Sequence, residues 1–418
     1  MSKRNFPSFI QAFLDYSKNV GAPEKFLLWS AISGVSAALE RKTWLVYNGV
    51  QVIYPNMYIM LVADSGIAKK STATRAMTEI LYEVEDIKYM STQLSAASLV
   101  EQLRAAGEEK TFEFDGVKYK NSSLFAYSSE AKVTIGDQKG LSGIQELLTD
   151  FYDCGDPNIW SDKKGWNKST ISGGNITVFN PCLSLLACST PSWLNEAIGK
   201  SGIEGGFASR VIFVTQKERE KSSVGWLDDE DHPEDDPSGM RKLLVEDLSK
   251  ISKLKGRYKT QVGWKEAYNK LQKEVDERID QETEMKSYYS RKMWHCLKLS
   301  QILAADHSDD LIVTPNHLLA AKDLLESIEK DMYSAFSMKG ENKLLTSFIF
   351  VWNIMRKKKI WIKQDLTKVT FRHATTPQLE DHLRMLKEMG KIEPIMDNGK
   401  IYYKVIDSSP LGDSGSSK

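Results

Sequence analysis

The residues best suited to chemistry stand in the run Ala63-Asp64-Ser65-Gly66-Ile67-Ala68-Lys69-Lys70-Ser71-Thr72, which follows the apolar segment YPNMYIMLV (54–62). Small residues between a strand and a helix let backbone N–H groups wrap phosphate oxygens. A lysine can then reach the β/γ oxygens, and a hydroxyl can coordinate magnesium. That is the chemistry of ATP and Mg2+ binding. Ser65, Gly66, Ala68, Lys69, Lys70, Ser71 and Thr72 are the candidate contacts, with Ser71 as the metal ligand. The spacing departs from G-x-x-x-x-G-K-[ST]: Ala63 stands where glycine is usual, and one residue is inserted between Gly66 and the lysine. Lys70 is the first choice for the phosphate lysine and Lys69 its competitor. Lysines beside a Gly-containing turn also start ordinary helices; the preceding apolar strand is what favours phosphate.

Hydrolysis needs a carboxylate at the tip of a neighbouring strand to polarise water. Glu130, ending SLFAYSSE (123–130), has that place, although Ser129 stands where an aspartate would order the metal. A surface glutamate after a strand is the plainer alternative. Ser189 and Thr190 end the apolar run CLSLLACSTP (182–191), where a hydroxyl could orient water near the γ-phosphate or simply cap the next helix. Arg210, in GGFASRVIFV, follows small residues that could present it to a neighbour's phosphate, where it would stabilise transition-state charge. Arg291, in YYSRKMWHCLKLSQILA, could contact the phosphates of its own subunit. Both could instead be structural ion-pair partners.

A second group of residues suits nucleic acid. Lys163, Lys164, Trp166 and Lys168 combine cations with an aromatic ring, a mixture that tracks a phosphate backbone while the ring stacks on a base. The alternative is a solvated lysine-rich loop with a packed tryptophan. Lys118 and Lys120, on the alternating segment TFEFDGVKYK (111–120), are weaker candidates.

Several elements must position these groups. Residues 6–45 read as two helices broken at Gly21–Pro23, and a further helix is expected near 93–106. Buried strands at 54–62, 123–130 and 182–190 alternate with helices, which implies a parallel sheet with crossovers. Segments 111–120, turning at Asp115-Gly116, and 161–179 read as hairpin insertions. The acidic stretch WLDDEDHPEDDPSG (226–239) reads as a linker, and 240–336 as nearly continuous helix with breaks near Gly256, Gly263 and 306–314. Helices at 343–356 and 376–389, then strand, Asp397-Asn398-Gly399 turn and strand, make a winged-helix pattern. Over 341–404 it carries 13 Lys/Arg and 7 Asp/Glu, a net of +6. Arg356 to Lys359, and His382, Arg384 and Lys387 on the second helix, would face duplex DNA or a protein partner.

The expected division is therefore a helical cap (1–45), an α/β core (46–225), an acidic linker with a helical lid (226–340), a winged helix (341–406) and a disordered tail (407–418). The 418 residues, 41% of them hydrophobic, suffice for a sizeable core. The 56 basic and 56 acidic side chains cancel, so nucleic-acid binding would have to come from local clusters. Cys154, Cys182, Cys188 and Cys296 have neither paired nor zinc-like spacing, and no segment reads as a signal peptide or membrane span. A cytoplasmic protein, in a host's cytoplasm if phage-encoded, is expected.

The order of these parts, from YPNMYIMLVADSGIAKKST through SLFAYSSE, CLSLLACSTPSWL, GGFASRVIFV and TPNHLLAAKDLL to the winged helix, resembles phage, plasmid and mobile-element DNA helicases related to the MCM group of AAA+ P-loop ATPases. The resemblance spans about residues 6–405. It implies a hexameric ring or open spiral, with ATP between subunits and DNA in a central channel touched by the hairpins 111–120 and 161–179. By position it assigns Gly66, Lys70 and Ser71 to the phosphate loop, Glu130 to the catalytic glutamate and Ser189 or Thr190 to a sensor. Arg210 would be an arginine finger acting in trans, and Arg291 a second sensor. The sensor lacks the usual asparagine, and no N-terminal single-strand-binding or primase domain is recognisable. The alternative function is a nucleotide-gated DNA-binding adaptor or helicase loader with slow turnover; a packaging motor or defence ATPase fits less well.

Overall fold

The computed structural model describes residues 3–91, 95–135, 141–154, 160–170, 174–194, 206–217, 237–281, 285–337, 343–371, 373–397 and 400–406. Its contacts divide the chain into Met1–Phe336 and Ser337–Lys418. The expected cap, core and lid are thus one compact unit, joined by a shared apolar core that runs from Phe9 to Ile328.

The chain enters through α1 (Phe9–Ser17) and α2 (Glu24–Leu39), broken where Gly21 turns the backbone at a φ of 68°. Ser8 caps α1, its hydroxyl accepting from the Gln11 amide at 3.0 Å. Next come β1 (Thr43–Tyr47) and β2 (Gln51–Ile53), an antiparallel pair the helical reading of 6–45 does not anticipate. β3 (Tyr58–Val62) leads to α3 (Lys70–Leu81) and α4 (Ala96–Glu109). The hairpin β4 (Thr111–Phe114) and β5 (Val117–Lys120) precedes β6 (Ser123–Ser128), α5 (Ala131–Ile135) and α6 (Leu141–Tyr152). A second hairpin, β7 (Trp166–Thr170) and β8 (Gly174–Val178), precedes β9 (Cys182–Ser189), and β10 (Val211–Thr215) completes the series.

Four of these strands form one parallel sheet in the order β10-β3-β9-β6. Both faces are covered, as the unbroken apolar runs require. Successive side chains point to opposite faces. Ile59, Leu61, Cys188, Ile212 and Val214 meet the core containing α1 to α3, whereas Tyr58, Met60, Val62, Leu185 and Phe213 meet α4 and α6. Each large apolar side chain so buried contributes about 1.5–3 kcal/mol.

The helical stretch after 237 contains helices Pro237–Ile251, Trp264–Gln281, Lys286–His307 and Pro315–Ser337. Its expected breaks hold three two-residue strands: β11 (Gly256–Arg257), paired with β1, then β12 (Lys259–Thr260) and β13 (Ile312–Val313), paired with each other. Strands of two residues are too short to carry an alternating signal, so the sequence shows only the interruptions. Residues 226–236, most of the expected linker, lie outside the described residues.

The second unit packs helices Lys343–Met355, Lys363–Thr370 and Thr376–Glu388 around Val351, Trp352, Leu366, Leu383 and Leu386. Beside them lies an antiparallel sheet of β14 (Ile360–Ile362), β16 (Lys400–Val405) and β15 (Ile392–Asp397), in that order. Thr375 and Gln378 form a capping box at the third helix. Asn398, Gly399 and the tail 407–418 are outside the described residues.

Candidate active site

β3 ends at Val62, and residues 63–69 turn the chain into α3. Gly66 adopts a φ of 78° with nothing within 4 Å of the place a Cβ would occupy, so glycine serves conformation there rather than space. Lys69 is also left-handed, with φ 41° and ψ 41° immediately before the first helical residue. For a residue with a Cβ this costs on the order of 1 kcal/mol. The register follows from it. Counting back from Ser71, Lys69 holds the position of the second glycine of G-x-x-x-x-G-K-[ST], Asp64 that of the first, and Lys70 that of the lysine. In that register the chain departs from the motif by Asp64 and Lys69 in the two glycine positions, the alternative to reading an inserted residue after Gly66.

The side chains agree. Lys69 leaves the loop, its Nζ 2.6 Å from the point a Gly21 Cβ would occupy. Lys70 folds into the loop and donates to the carbonyls of Ala63 and of Asp64, the latter at 3.3 Å. Burial lowers the Lys70 pKa, opposed by the carboxylates of Asp64 and Glu130. Thr72 donates to the Lys69 carbonyl in a tight i→i−3 turn (3.0 Å) and Ala73 donates the first α-turn bond to the same carbonyl (3.2 Å), so the Lys70 and Ser71 amides precede the helical bonds, at the positive end of the helix dipole. The side chains of Ser65 and Ser71 are exposed, Thr72 is half-buried and Ala68 is buried, so Ala68 can offer only its backbone. Thr74, unmarked in the sequence reading, accounts for the helix's seating: its hydroxyl donates to the Lys70 carbonyl (3.3 Å) and faces the Tyr127 hydroxyl (3.3 Å) and Cys188 Sγ (3.7 Å). Burial pushes the Cys188 thiol up to about 11, keeping it neutral beside Lys70.

β9 lies between β3 and β6, so Glu130 stands about 10 Å from the loop, two inter-strand spacings away. The Ser128 hydroxyl donates to the Glu130 carbonyl (2.7 Å) and accepts from Thr134 (2.7 Å); the Val133 amide donates to the same carbonyl (3.0 Å). The backbone is fixed while the carboxylate of Glu130 and the hydroxyl of Ser129 face solvent. At the end of β9 the Ser189 carbonyl accepts from the Ala63 amide (3.3 Å), stitching that strand to the loop. Thr190 accepts from the Trp193 amide (3.4 Å), the capping role. Ser189, whose hydroxyl donates to the Thr190 carbonyl (3.3 Å), is the closer of the two to the loop's backbone.

The arginines occupy the other end of the sheet. Arg210 precedes β10, whose Val211 pairs with Tyr58 and Thr215 with Val62, so six residues, about 20 Å, separate it from the loop. It is 8% exposed. Its Nη1 donates to the Gly206 carbonyl (2.7 Å) and its Nη2 to Asp153 (2.7 Å). Arg291 donates to the other Asp153 oxygen at 3.3 Å. One carboxylate thus gathers both arginines, a residue that sequence reasoning missed because an aspartate after a helix has no motif. In the single chain the Arg291 guanidinium is held at Asp153, beside Arg210. The structural ion pair foreseen as the alternative exists for both residues.

Behind this cluster, His295 is fully buried between the Tyr152 hydroxyl (3.0 Å) and the Ser209 carbonyl (3.0 Å). The carbonyl only accepts, so Nε2 carries the proton and Nδ1 accepts from Tyr152. Burial, reinforced by Lys298, Arg291 and Arg210, pushes its pKa down to about 3, against the Ser209 hydrogen bond. A folded pKa below the unfolded value near 6.5 means that stability is fully present above about pH 6.5. It is lost as pH falls toward 3, by about 1.4 kcal/mol per unit. Denaturant unfolding at pH 7 and pH 5 should therefore show wild type losing about 2 kcal/mol more than His295→Gln; equal losses would mean that the imidazole titrates freely.

The two hairpins also start from this end. Asp115 and Gly116 turn β4 into β5 with φ of 51° and 72°, as the Asp-Gly pair predicts. Asn180 joins the hairpin regions: its Nδ2 donates to the carbonyls of Lys120 (2.8 Å) and Ser161 (2.9 Å), and the Lys120 amide donates to Asp162 (3.2 Å). Lys118, Lys120, Lys163 and Lys164 are exposed around this junction, and Lys168 is half-buried on β7. Trp166 takes the packed place that was the alternative to base stacking. Its ring packs on Phe151 at 5.1 Å and its Nε1 donates to Asp150 at 3.2 Å, so it braces the hairpin against α6. In the second unit Arg356, Lys357, Lys358, Lys359, Arg384 and Lys387 are exposed. His382, expected on the same outward surface, is buried against the Ser347 hydroxyl at 2.5 Å.

Comparison with known proteins gave no matching family model and no matching curated protein. Among the described residues no helix is long and apolar enough to cross a membrane, and the four cysteines are buried and free.

Proposed function

We propose that this chain is an ATP-dependent DNA helicase or translocase working as a ring of copies, six by the resemblance, in replication of a phage or mobile element. One observation carries the reading. The loop at 63–71 and the arginine pair at Asp153 lie at opposite ends of the same sheet, about 20 Å apart, a placement that supports a site closed between two copies stacked head to tail. On one face the amides at 66–71 and Lys70 would hold the phosphates and Ser71 the Mg2+. Glu130 would polarise water and Ser189 orient it. The next copy would supply Arg210 and Arg291 in trans. Bound magnesium would neutralise charge on the phosphates. Lys118, Lys120, Lys163, Lys164 and Lys168 would track the DNA backbone, with affinity falling steeply with salt, and the second unit reads as a winged helix offering a basic surface to duplex DNA.

Ser129 favours the second reading, an adaptor or loader, because a hydroxyl replaces the carboxylate that would order the metal. Steady-state ATP hydrolysis measured over a range of protein concentrations, with and without single-stranded DNA, separates them. Specific activity rising with concentration and with DNA, together with directional strand displacement, is the expected result. DNA binding without displacement supports the adaptor, and a rate per chain independent of concentration overturns the shared site.

A further inference from the structure

Asp153 bridges Arg210 and Arg291 at the end of the sheet away from the loop. It follows Tyr152, the last residue of α6, whose carbonyl accepts from Asn56 (3.0 Å) and whose hydroxyl is held by His295 (3.0 Å), so its backbone is anchored. The carboxylate side chain is 48% exposed, whereas those of Arg210 and Arg291 are 9% and 27% exposed. The carboxylate lies on the solvent side and the guanidinium groups behind it. The Nε of Arg210 is buried without an acceptor among the described residues, so Asp153 leaves that fork only partly used. A carboxylate bridging two arginines from outside presents the geometry and charge sign of a phosphate, with less charge and fewer oxygens.

Resting on the ring reading above, we propose that Asp153 is a built-in competitor for the neighbouring subunit's triphosphate, occupying Arg210 and Arg291 in the unassembled chain and yielding them when a loaded loop docks. The carboxylate is half in water, so a rotation of the Asp153 side chain toward solvent releases it. A polyanion wins the exchange through additional charge-assisted bonds. Between assemblies, the same contact keeps two like charges from splaying apart. Asp153 thereby sets the protein concentration at which hydrolysis switches on, acting through the arginines rather than on the nucleotide.

The test measures ATP hydrolysis against protein concentration for wild type, Asp153→Asn, Asp153→Glu and Arg210→Ala, with circular dichroism melting of each. Asp153→Asn should lower the half-maximal concentration about 3- to 10-fold, because a larger fraction of chains is binding-competent, with the plateau rate within about twofold of wild type. Asp153→Glu, which keeps the charge, should stay at the wild-type midpoint. If Asp153→Asn does not fold, Asp153→Ser carries the same expectation. An unchanged midpoint, or a raised midpoint with a lower plateau, overturns the competitor role while leaving the shared site intact. If wild type itself shows no concentration dependence, the ring reading fails and takes this proposal with it.

Discussion

Replacing Arg210 by alanine is expected to lower ATP turnover of the assembled protein by about 10^3-fold or more, the scale of an arginine supplied to a transferring phosphoryl group. Nucleotide binding to the single chain should change little, because Arg210 stands at the far end of the sheet from the loop. The residue also has a structural bond to Asp153, so melting curves must accompany the kinetics. Mixing supplies the decisive measurement. Arg210→Ala and Lys70→Ala should each be inactive alone, yet a mixture should regain activity at on the order of one quarter of its interfaces, those that pair an intact loop with an intact arginine. No recovery from two folded, co-assembling variants would place both residues in one chain's site and refute the split arrangement.

Lys70→Ala should reduce turnover by about 10^2- to 10^3-fold, the loss expected when a preorganised cationic donor to developing charge is removed. Lys69→Gly should keep activity and raise stability by up to about 1 kcal/mol, because glycine adopts the left-handed backbone of this position without strain. The pair of variants distinguishes the two lysines as sequence could not. Should Lys69→Gly be inactive and Lys70→Ala active, the assignment of the motif to the helix start is reversed.

The central strands were legible because a strand buried on both faces shows as an unbroken apolar run, as in YIMLV and CLSLLACS. The first hairpin was legible because Asp-Gly suits two consecutive positive φ angles. The register of the loop was not, since a lysine in a glycine's conformation looks like an insertion until its φ is known. Trp166 was open between stacking and packing because composition does not say which face of a hairpin meets a helix; Phe151 decides it. His382 stands two positions, about 200° of helix rotation, from exposed Arg384, which turns it inward to Ser347. The position of Arg291 was hidden because it depends on how the helix Lys286–His307 crosses the sheet, a long-range property with no local signal.

β9 is paired along both edges, to β3 and to β6, and contains no glycine. It runs from the neighbourhood of Asn180, which ties the lysine-bearing segments, to Ser189, whose carbonyl holds the start of the loop. Mechanically it is a strut about 25 Å long. A member clamped on both sides has no slack, so a push at one end is delivered at the other rather than absorbed between them. Under the proposed reading, with ATP spent at one end and DNA gripped at the other, stiffness between fuel and load would set how much of each stroke reaches the work.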